Sequence, residues 1–246
     1  METSRYKPVK DYIVPHELTE KHPQIKRIRG EHLLVRSHNL TDNPITQQAI
    51  LTEREADVER WKKLGSFQGI HLPQFTTEVE PDINGNLFFH IIIEEIDGQN
   101  LEESSFNQAD EKFKLSVVEM IKGLVAYSED IFENRGGYVS DQNLSQYVYG
   151  KGEDGLQKIY FVDLGTEGHF LPPTKGHHDA NSYFFARYMP LILEMIEGLE
   201  KKIREPLVDS RITMAKFLNR TPQGTGGISY ARSLKELVLQ ERLPET

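Results

Sequence analysis

The stretch GGYVSDQNLSQYVYG (136–150), with KIYFVDLG (158–165) close behind it, decides how this chain is interpreted. Two apolar runs, YVYG and KIYFV, flank a charged segment that contains glycine, and this pattern predicts a β-hairpin. Asp141 precedes the hairpin and Asp163 follows it. The two carboxylates fit either a catalytic site that uses both, or a hairpin with ordinary surface aspartates, so the rest of the chain must decide.

The composition limits the class of protein. A chain of 246 residues suffices for one large domain or two compact lobes with a sizeable core. It has no cysteine, which excludes disulfides and thiolate metal sites. The formal net charge of −9 argues against nucleic acid as a partner, because a phosphate backbone needs a basic face. The N-terminus lacks a signal-like apolar stretch and no apolar run could span a bilayer, so we expect a cytoplasmic protein with no membrane partner.

The order of the predicted elements divides the chain into three parts. Residues 1–23 are expected to form a polar arm, 24–96 a small lobe rich in strands, and 97–246 a mainly helical lobe interrupted by the hairpin. Apolar residues at helical spacing predict one helix over 45–65 in the small lobe and a long amphipathic helix over 109–134. The expected fold class is therefore α+β, with a small antiparallel sheet in one lobe and helices in the other.

Apolar runs and turn residues predict the remaining elements. Short strands are expected on either side of Gly30, and two longer ones over 70–80 and 85–96. The last of these is apolar enough to be a buried central strand. A helix over 180–203 is expected to be broken or kinked near Pro190, which cannot donate a backbone hydrogen bond. Two further helices are predicted over 207–220 and 233–243.

This order of elements resembles the protein-kinase-like superfamily, and within it the aminoglycoside phosphotransferase-like small kinases more than eukaryotic protein kinases. The resemblance covers residues 24–200 and depends on the order and spacing of the elements. It implies a two-lobed fold that binds a nucleotide between the lobes, with ATP and Mg²⁺ or Mn²⁺ as cofactors. The acceptor that it implies is a hydroxyl group of a small molecule or a protein.

The hairpin carries the residues that the resemblance assigns to catalysis and metal binding. Asp141 would act as the catalytic aspartate that orients the acceptor hydroxyl and takes its proton. Gln146 follows at the spacing where the family has a metal-binding Asn, and Asp163 begins the Asp-Leu-Gly turn that supplies the other metal ligand. The glycine of that turn, Gly165, would let the backbone bend sharply.

The small lobe carries the residues that the resemblance assigns to the nucleotide. Arg36 stands where the family has a phosphate-binding lysine. Glu55 is the best match for the helix carboxylate that braces it, with Glu59 or Glu53 as alternatives one turn or register away. Ile93 would be the gatekeeper-like residue. The carbonyl of Glu94 and the amide of Ile96 would then face adenine.

The sequence leaves the function open between two main hypotheses. The first is an ATP- and Mg²⁺-dependent phosphotransferase, an atypical kinase. The second is a catalytically inactive pseudokinase that acts as a binding or scaffold module, favoured by Arg for Lys, Gln for Asn and the lack of a clear glycine-rich loop. An unrelated α+β binding protein is a third alternative, which would not bring Asp141 and Asp163 to one cleft.

Overall fold

The computed structural model describes residues 25–28, 31–40, 44–81, 87–107, 110–134, 138–139, 142–165 and 188–218. Its strands are β1 (Ile25–Ile28), β2 (Leu33–Leu40), β3 (Phe75–Pro81), β4 (Leu87–Glu94), β5 (Asp97–Asn100), β6 (Tyr147–Lys151) and β7 (Gln157–Phe161). Its helices are α1 (Pro44–Gly65), α2 (Glu111–Asn134), α3 (Met189–Ile203) and α4 (Val208–Leu218), with a short 3₁₀ helix (Leu144–Gln146) directly before β6.

The first sheet is antiparallel, with the strand order β1-β2-β4-β3. The apolar strand β4 lies between β2 and β3, which confirms the central position expected from its sequence. Alternate residues of β4 point to opposite faces, so that Ile92 joins a small cluster on one face while Ile91 and Ile93 enter the main core on the other. Arg36 lies opposite Ile91 in the register of β2 and β4.

The second sheet has the order β5-β6-β7 and follows the first almost at once in the chain. The predicted hairpin is confirmed as β6 and β7. Strand β5, which the sequence analysis did not predict, pairs with β6. Gly98 of β5 lies opposite Gly150 of β6. A Cβ atom at Gly150 would lie 2.7 Å from the Ile96 side chain and from the Asp97 carbonyl, so this close approach of the strands requires glycine.

The helices α1 and α2 connect the first sheet to the helical part of the chain. Trp61 and Leu64 of α1 are buried in the same core as the apolar face of α2. Lys63 of α1 forms an ion pair of 2.5 Å with Asp130 of α2. Helix α2 begins at Glu111, two residues later than predicted, because the Asp110 carboxylate accepts the first free backbone N–H groups of the helix.

One predicted strand differs in the structure, and one predicted helix is described only in part. The strand predicted over 70–80 begins only at Phe75, because the chain before it crosses to the second sheet, where the His71 carbonyl accepts the Phe161 N–H at 2.8 Å. Helix α3 begins at Met189, so Pro190 lies in its first turn, where a missing N–H costs no helical hydrogen bond. Residues 180–187, the helix predicted over 233–243 and the turn at Gly30 lie outside the described residues.

These elements confirm the two-lobed α+β fold expected from the sequence. The four-stranded sheet ends at Glu94 and the second sheet begins at Asp97, and the division of the chain at residue 96 stays a prediction. Within the described ranges, the structure contains no helix that is both long and apolar enough to cross a membrane.

Candidate functional site

An ion pair joins the first sheet to the end of the hairpin. Nη1 of Arg36, on β2, donates to Oδ1 of Asp163 at 2.6 Å, although 127 residues separate the two in sequence. Asp163 lies two residues beyond β7, where the backbone N–H of Gly165 also donates to its Oδ1, at 3.2 Å. Both side chains are partly exposed, 19% for Arg36 and 30% for Asp163, so solvent and small ligands can reach the pair.

Leu164 and Gly165 fix the position of this carboxylate. Leu164 is fully buried in the main core, which anchors the turn that follows β7. Gly165 was expected to supply an unusual backbone angle, but among the described glycines only Gly69 and Gly155 have a positive φ. A Cβ atom at Gly165 would instead lie 2.0 Å from the Arg36 guanidinium, so the guanidinium could not keep its present position beside a larger residue.

Gln146 lies next to Asp163 in the hairpin but is engaged in a local contact. Its side-chain oxygen accepts the backbone N–H of Asn143 at 3.3 Å, and the Asn143 side chain accepts the N–H of Ser145 at 3.0 Å, which together form a capping box around the 3₁₀ helix. The Gln146 carbonyl accepts the Val162 N–H at 2.9 Å, immediately before Asp163. The metal role of Gln146 stays a prediction.

Asp141 lies outside the described residues, but hydrogen bonds hold its neighbours on both sides. Before it, the Val139 N–H donates to the hydroxyl of Tyr127 on α2, at 3.1 Å. After it, the fully buried Gln142 accepts a hydrogen bond of 2.5 Å from the hydroxyl of Tyr147. Sequence reasoning missed these supports, because neither tyrosine differs in sequence from an ordinary core residue. The catalytic role of Asp141 stays a prediction.

A cleft of about 640 Å³ opens beside the segment that joins the two sheets. Ile96, the residue predicted to offer its amide to adenine, lines this cleft together with Ile28 and Gly98. Arg27 forms an ion pair with Glu95 at the same place. The volume lies within the usual range for a small-molecule site. The adenine contacts of Ile96 and of the Glu94 carbonyl stay predictions.

The Glu94 side chain has a separate role. It is 4% exposed, and its carboxylate accepts the backbone N–H groups of Gln74, at 2.9 Å, and of Glu153. Gln74 belongs to the segment before β3 and Glu153 to the turn between β6 and β7. The Glu94 side chain therefore connects the two sheets. The sequence analysis predicted a role for the Glu94 carbonyl and none for this side chain.

Glu55 does not brace Arg36 in this structure. Its side chain is exposed on α1, while Arg36 is paired with Asp163. The buried charges of α1 belong instead to Asp57, which forms ion pairs with Arg54 at 3.4 Å and with Arg60. Burial raises the pKa of Asp57 and lowers the pKa of Arg60. The spacing of three residues between these charges was the sequence signal for the cluster. The nucleotide-related role of Glu55 stays a prediction.

The residues around Asp163 fit a metal ion carried by a nucleotide better than a metal held by protein alone. Within the described part of the chain, no group of three or more His, Cys, Asp or Glu side chains is placed to hold a metal. Mg²⁺ is commonly bound through one or two carboxylates, substrate phosphates and waters. Both described hydrogen bonds of the Asp163 carboxylate arrive at Oδ1, so Oδ2 is the oxygen that suits such an ion.

No family model matches the chain, and no curated protein matches it. Solved structures do show similarity to it. The chain is similar to the PknI kinase domain of Mycobacterium tuberculosis, with 12% identity, a TM-score of 0.40 and coverage of 87% of this chain and 89% of that one. The chain is also similar to the microcompartment-associated aminopropanol kinase, with 12% identity, a TM-score of 0.39 and coverage of 94% of this chain and 93% of that one. A third similar structure is WbdD, with 12% identity, a TM-score of 0.41 and coverage of 95% of this chain. The match covers 48% of WbdD, so this chain spans about half of that protein.

The order of the elements and the strand pairing are those of the α+β fold class expected from the sequence. Because these TM-scores lie below 0.5, the assignment to the protein-kinase-like superfamily stays a prediction. The small sheet with its single helix comes first, the joining segment follows, and the hairpin with Asp163 is inserted among the helices.

Proposed function

We propose that the chain is an ATP- and Mg²⁺-dependent phosphotransferase that acts on a hydroxyl group of a small molecule or a protein. The observation that carries the proposal is the Arg36–Asp163 ion pair, which brings a strand cation and a strand-ending carboxylate to one partly exposed place between the sheets. Phosphoryl transfer needs a cation for the phosphates and a carboxylate for the metal at such a place.

Each residue has a defined task in the proposal. Arg36 binds the nucleotide phosphates, Asp163 with Gln146 holds the metal, and Asp141 orients the acceptor hydroxyl and takes its proton. When bound, Mg²⁺ would supply positive charge that neutralises the nucleotide phosphates. The cleft beside Ile96 would receive the base of the nucleotide.

The alternative is a pseudokinase that binds a nucleotide or a partner without transferring phosphate. The observation that favours it is the capping role of Gln146, whose amide oxygen is already engaged with Asn143. A metal ligand that is displaced in this way would lower the rate of transfer by orders of magnitude, since catalysis of this type depends on positioning.

The test is thermal unfolding with and without ATP plus Mg²⁺ or Mn²⁺, on the wild-type protein and on Asp163→Asn. Ligand at about 100 times its Kd stabilises the folded state by about 2.7 kcal/mol. We expect a metal-dependent shift that Asp163→Asn abolishes and that the matched control Asp209→Asn, an exposed carboxylate on α4, retains. No shift with either metal would contradict nucleotide binding at this site.

Turnover separates the two functions. ATP hydrolysis and transfer to a panel of hydroxyl compounds are measured on the wild type and on Asp141→Asn. An enzyme should lose about 10²–10⁴-fold in rate in Asp141→Asn while the thermal shift stays. A thermal shift with no transfer in the wild-type protein would favour the pseudokinase.

A further inference from the structure

The Arg36 guanidinium lies directly against the backbone of Gly165. A Cβ atom at Gly165 would be 2.0 Å from both Nε and Cζ of Arg36 and 2.2 Å from Nη1, distances at which one of the groups must move. Since the φ angle of Gly165 is not positive, alanine is compatible with the backbone there. A side chain at residue 165 would therefore meet one group, the flexible end of Arg36, and the turn itself does not need glycine.

We infer that Gly165 is a positioning residue that allows an arginine to occupy the place of the phosphate-binding cation. The bare Cα of Gly165 leaves room for the guanidinium beside it. In this position Nη1 meets Oδ1 of Asp163, and within the described part of the chain Nε is buried without a hydrogen-bond partner. Under the proposed function, Nη2 would be left for a phosphate oxygen, because the ion pair uses Nη1.

The role of Arg36 in binding phosphate rests on the proposed function. The steric claim, that Gly165 leaves room for the Arg36 guanidinium, does not depend on it. A methyl group at residue 165 should push the guanidinium away from Asp163. Gly165→Ala should then have the same effect as removing the Arg36 side chain. The two substitutions should be strongly non-additive, because each removes the same arrangement.

A double-mutant cycle on the full chain tests the steric part by urea unfolding of Gly165→Ala, Arg36→Ala and the double variant. We expect Gly165→Ala alone to lower the folding equilibrium constant by about tenfold, and to have no further effect in the Arg36→Ala background. The matched control is Lys63→Ala, which removes the ion pair between Lys63 of α1 and Asp130 of α2. The loss of stability that it causes should simply add to the loss caused by Gly165→Ala. An equal loss from Gly165→Ala with and without Arg36 would overturn the inference.

Variants that do not fold are also decisive. If Gly165→Ala is unfolded but the double variant folds, the clash is with Arg36 and the inference is supported. If Arg36→Ala folds while Gly165→Ala and the double variant are both unfolded, the glycine is required by something other than the guanidinium and the inference is wrong.

ATP binding tests the functional part with a readout that a purely structural role would not move. The affinity for ATP with Mg²⁺ should fall at least about tenfold in Gly165→Ala and in Arg36→Ala. The double variant should lose no more affinity than either single variant. A folded Gly165→Ala protein with wild-type affinity for ATP would overturn the positioning role. If the wild type itself does not bind ATP, the proposed function fails, whereas the unfolding cycle still decides the steric contact.

Discussion

The carboxylate of Glu94, at the end of β4, accepts the backbone N–H of Glu153 in the turn between β6 and β7. The same side chain accepts the Gln74 N–H at 2.9 Å, while the Glu94 N–H donates to the Gln74 carbonyl at 2.8 Å. One buried carboxylate thus joins the two sheets at the segment that leads from one to the other. The relative position of Arg36 and Asp163 depends on how these sheets are joined.

Glu94→Ala should destabilise the protein by about 2 kcal/mol or more, since it leaves two backbone N–H groups without their acceptor. Glu94→Gln should lose less, because the amide oxygen can still accept one of them. Unfolding in urea measures both. The matched control is Glu95→Ala, which breaks only the ion pair with the exposed Arg27 and should cost about 1 kcal/mol or less. Equal losses at Glu94 and Glu95 would contradict the role of the Glu94 carboxylate.

Tyr127→Phe should loosen the segment before Asp141. The buried hydroxyl of Tyr127 accepts the Val139 N–H at 3.1 Å, and its removal should cost about 1–3 kcal/mol of stability. Under the proposed function the rate of transfer should fall more than ATP affinity, because the catalytic loop and not the nucleotide site is disturbed. Tyr149→Phe is the control, since the buried Tyr149 hydroxyl has no hydrogen-bond partner in the described part of the chain. An unchanged rate in Tyr127→Phe would contradict this support.

The sequence predicted those elements whose pattern is local. Helix α2 carries its apolar residues at helical spacing and strand β4 is a nearly continuous apolar run. The bounds of both agree with the prediction within about two residues. Strand β5 was missed because its residues, Asp97–Asn100, have low strand propensity and pair with β6 only through the tertiary fold. Strand β3 is shorter than predicted for a similar reason, because the crossing to the second sheet at His71 also depends on the tertiary fold.

The sequence predicted which residues form the candidate site, but not which of them contact each other. Arg36 and Asp163 were both selected from their order and spacing, yet their ion pair spans 127 residues of chain and depends on the packing of two sheets. The contact between Arg36 and Gly165 depends on the same packing. The cap of the 3₁₀ helix is different, because Asn143 and Gln146 at a spacing of three residues are a recognisable capping signal.

His71 should make the stability depend on pH. Burial and the positive charge of Lys158 lower the pKa of His71 below its usual value of 6.5, an effect that Glu119 and Asp154 oppose. The unfolded chain therefore binds the proton more readily, and the contribution of His71 to stability is present above about pH 6.5 and is lost as the pH falls. His71→Gln should flatten this part of the stability profile, measured by urea unfolding between pH 5 and 8. Parallel profiles for the two proteins would contradict the prediction.

Gln146 should reveal whether its amide serves the cap alone or also the metal. Gln146→Ala and Asn143→Ala each remove half of the capping box, and each should cost about 1 kcal/mol of stability without ligand. Only Gln146→Ala also removes a predicted metal ligand, so it should reduce the stabilisation by ATP with Mn²⁺ more than Asn143→Ala does. Gln146→Glu keeps an oxygen for the Asn143 N–H and adds a charge, so it should increase that stabilisation. If the Ala variants reduce the metal-dependent shift equally and Gln146→Glu does not increase it, Gln146 serves the cap alone, and Asp163 is the one predicted metal ligand of the hairpin that remains to be tested.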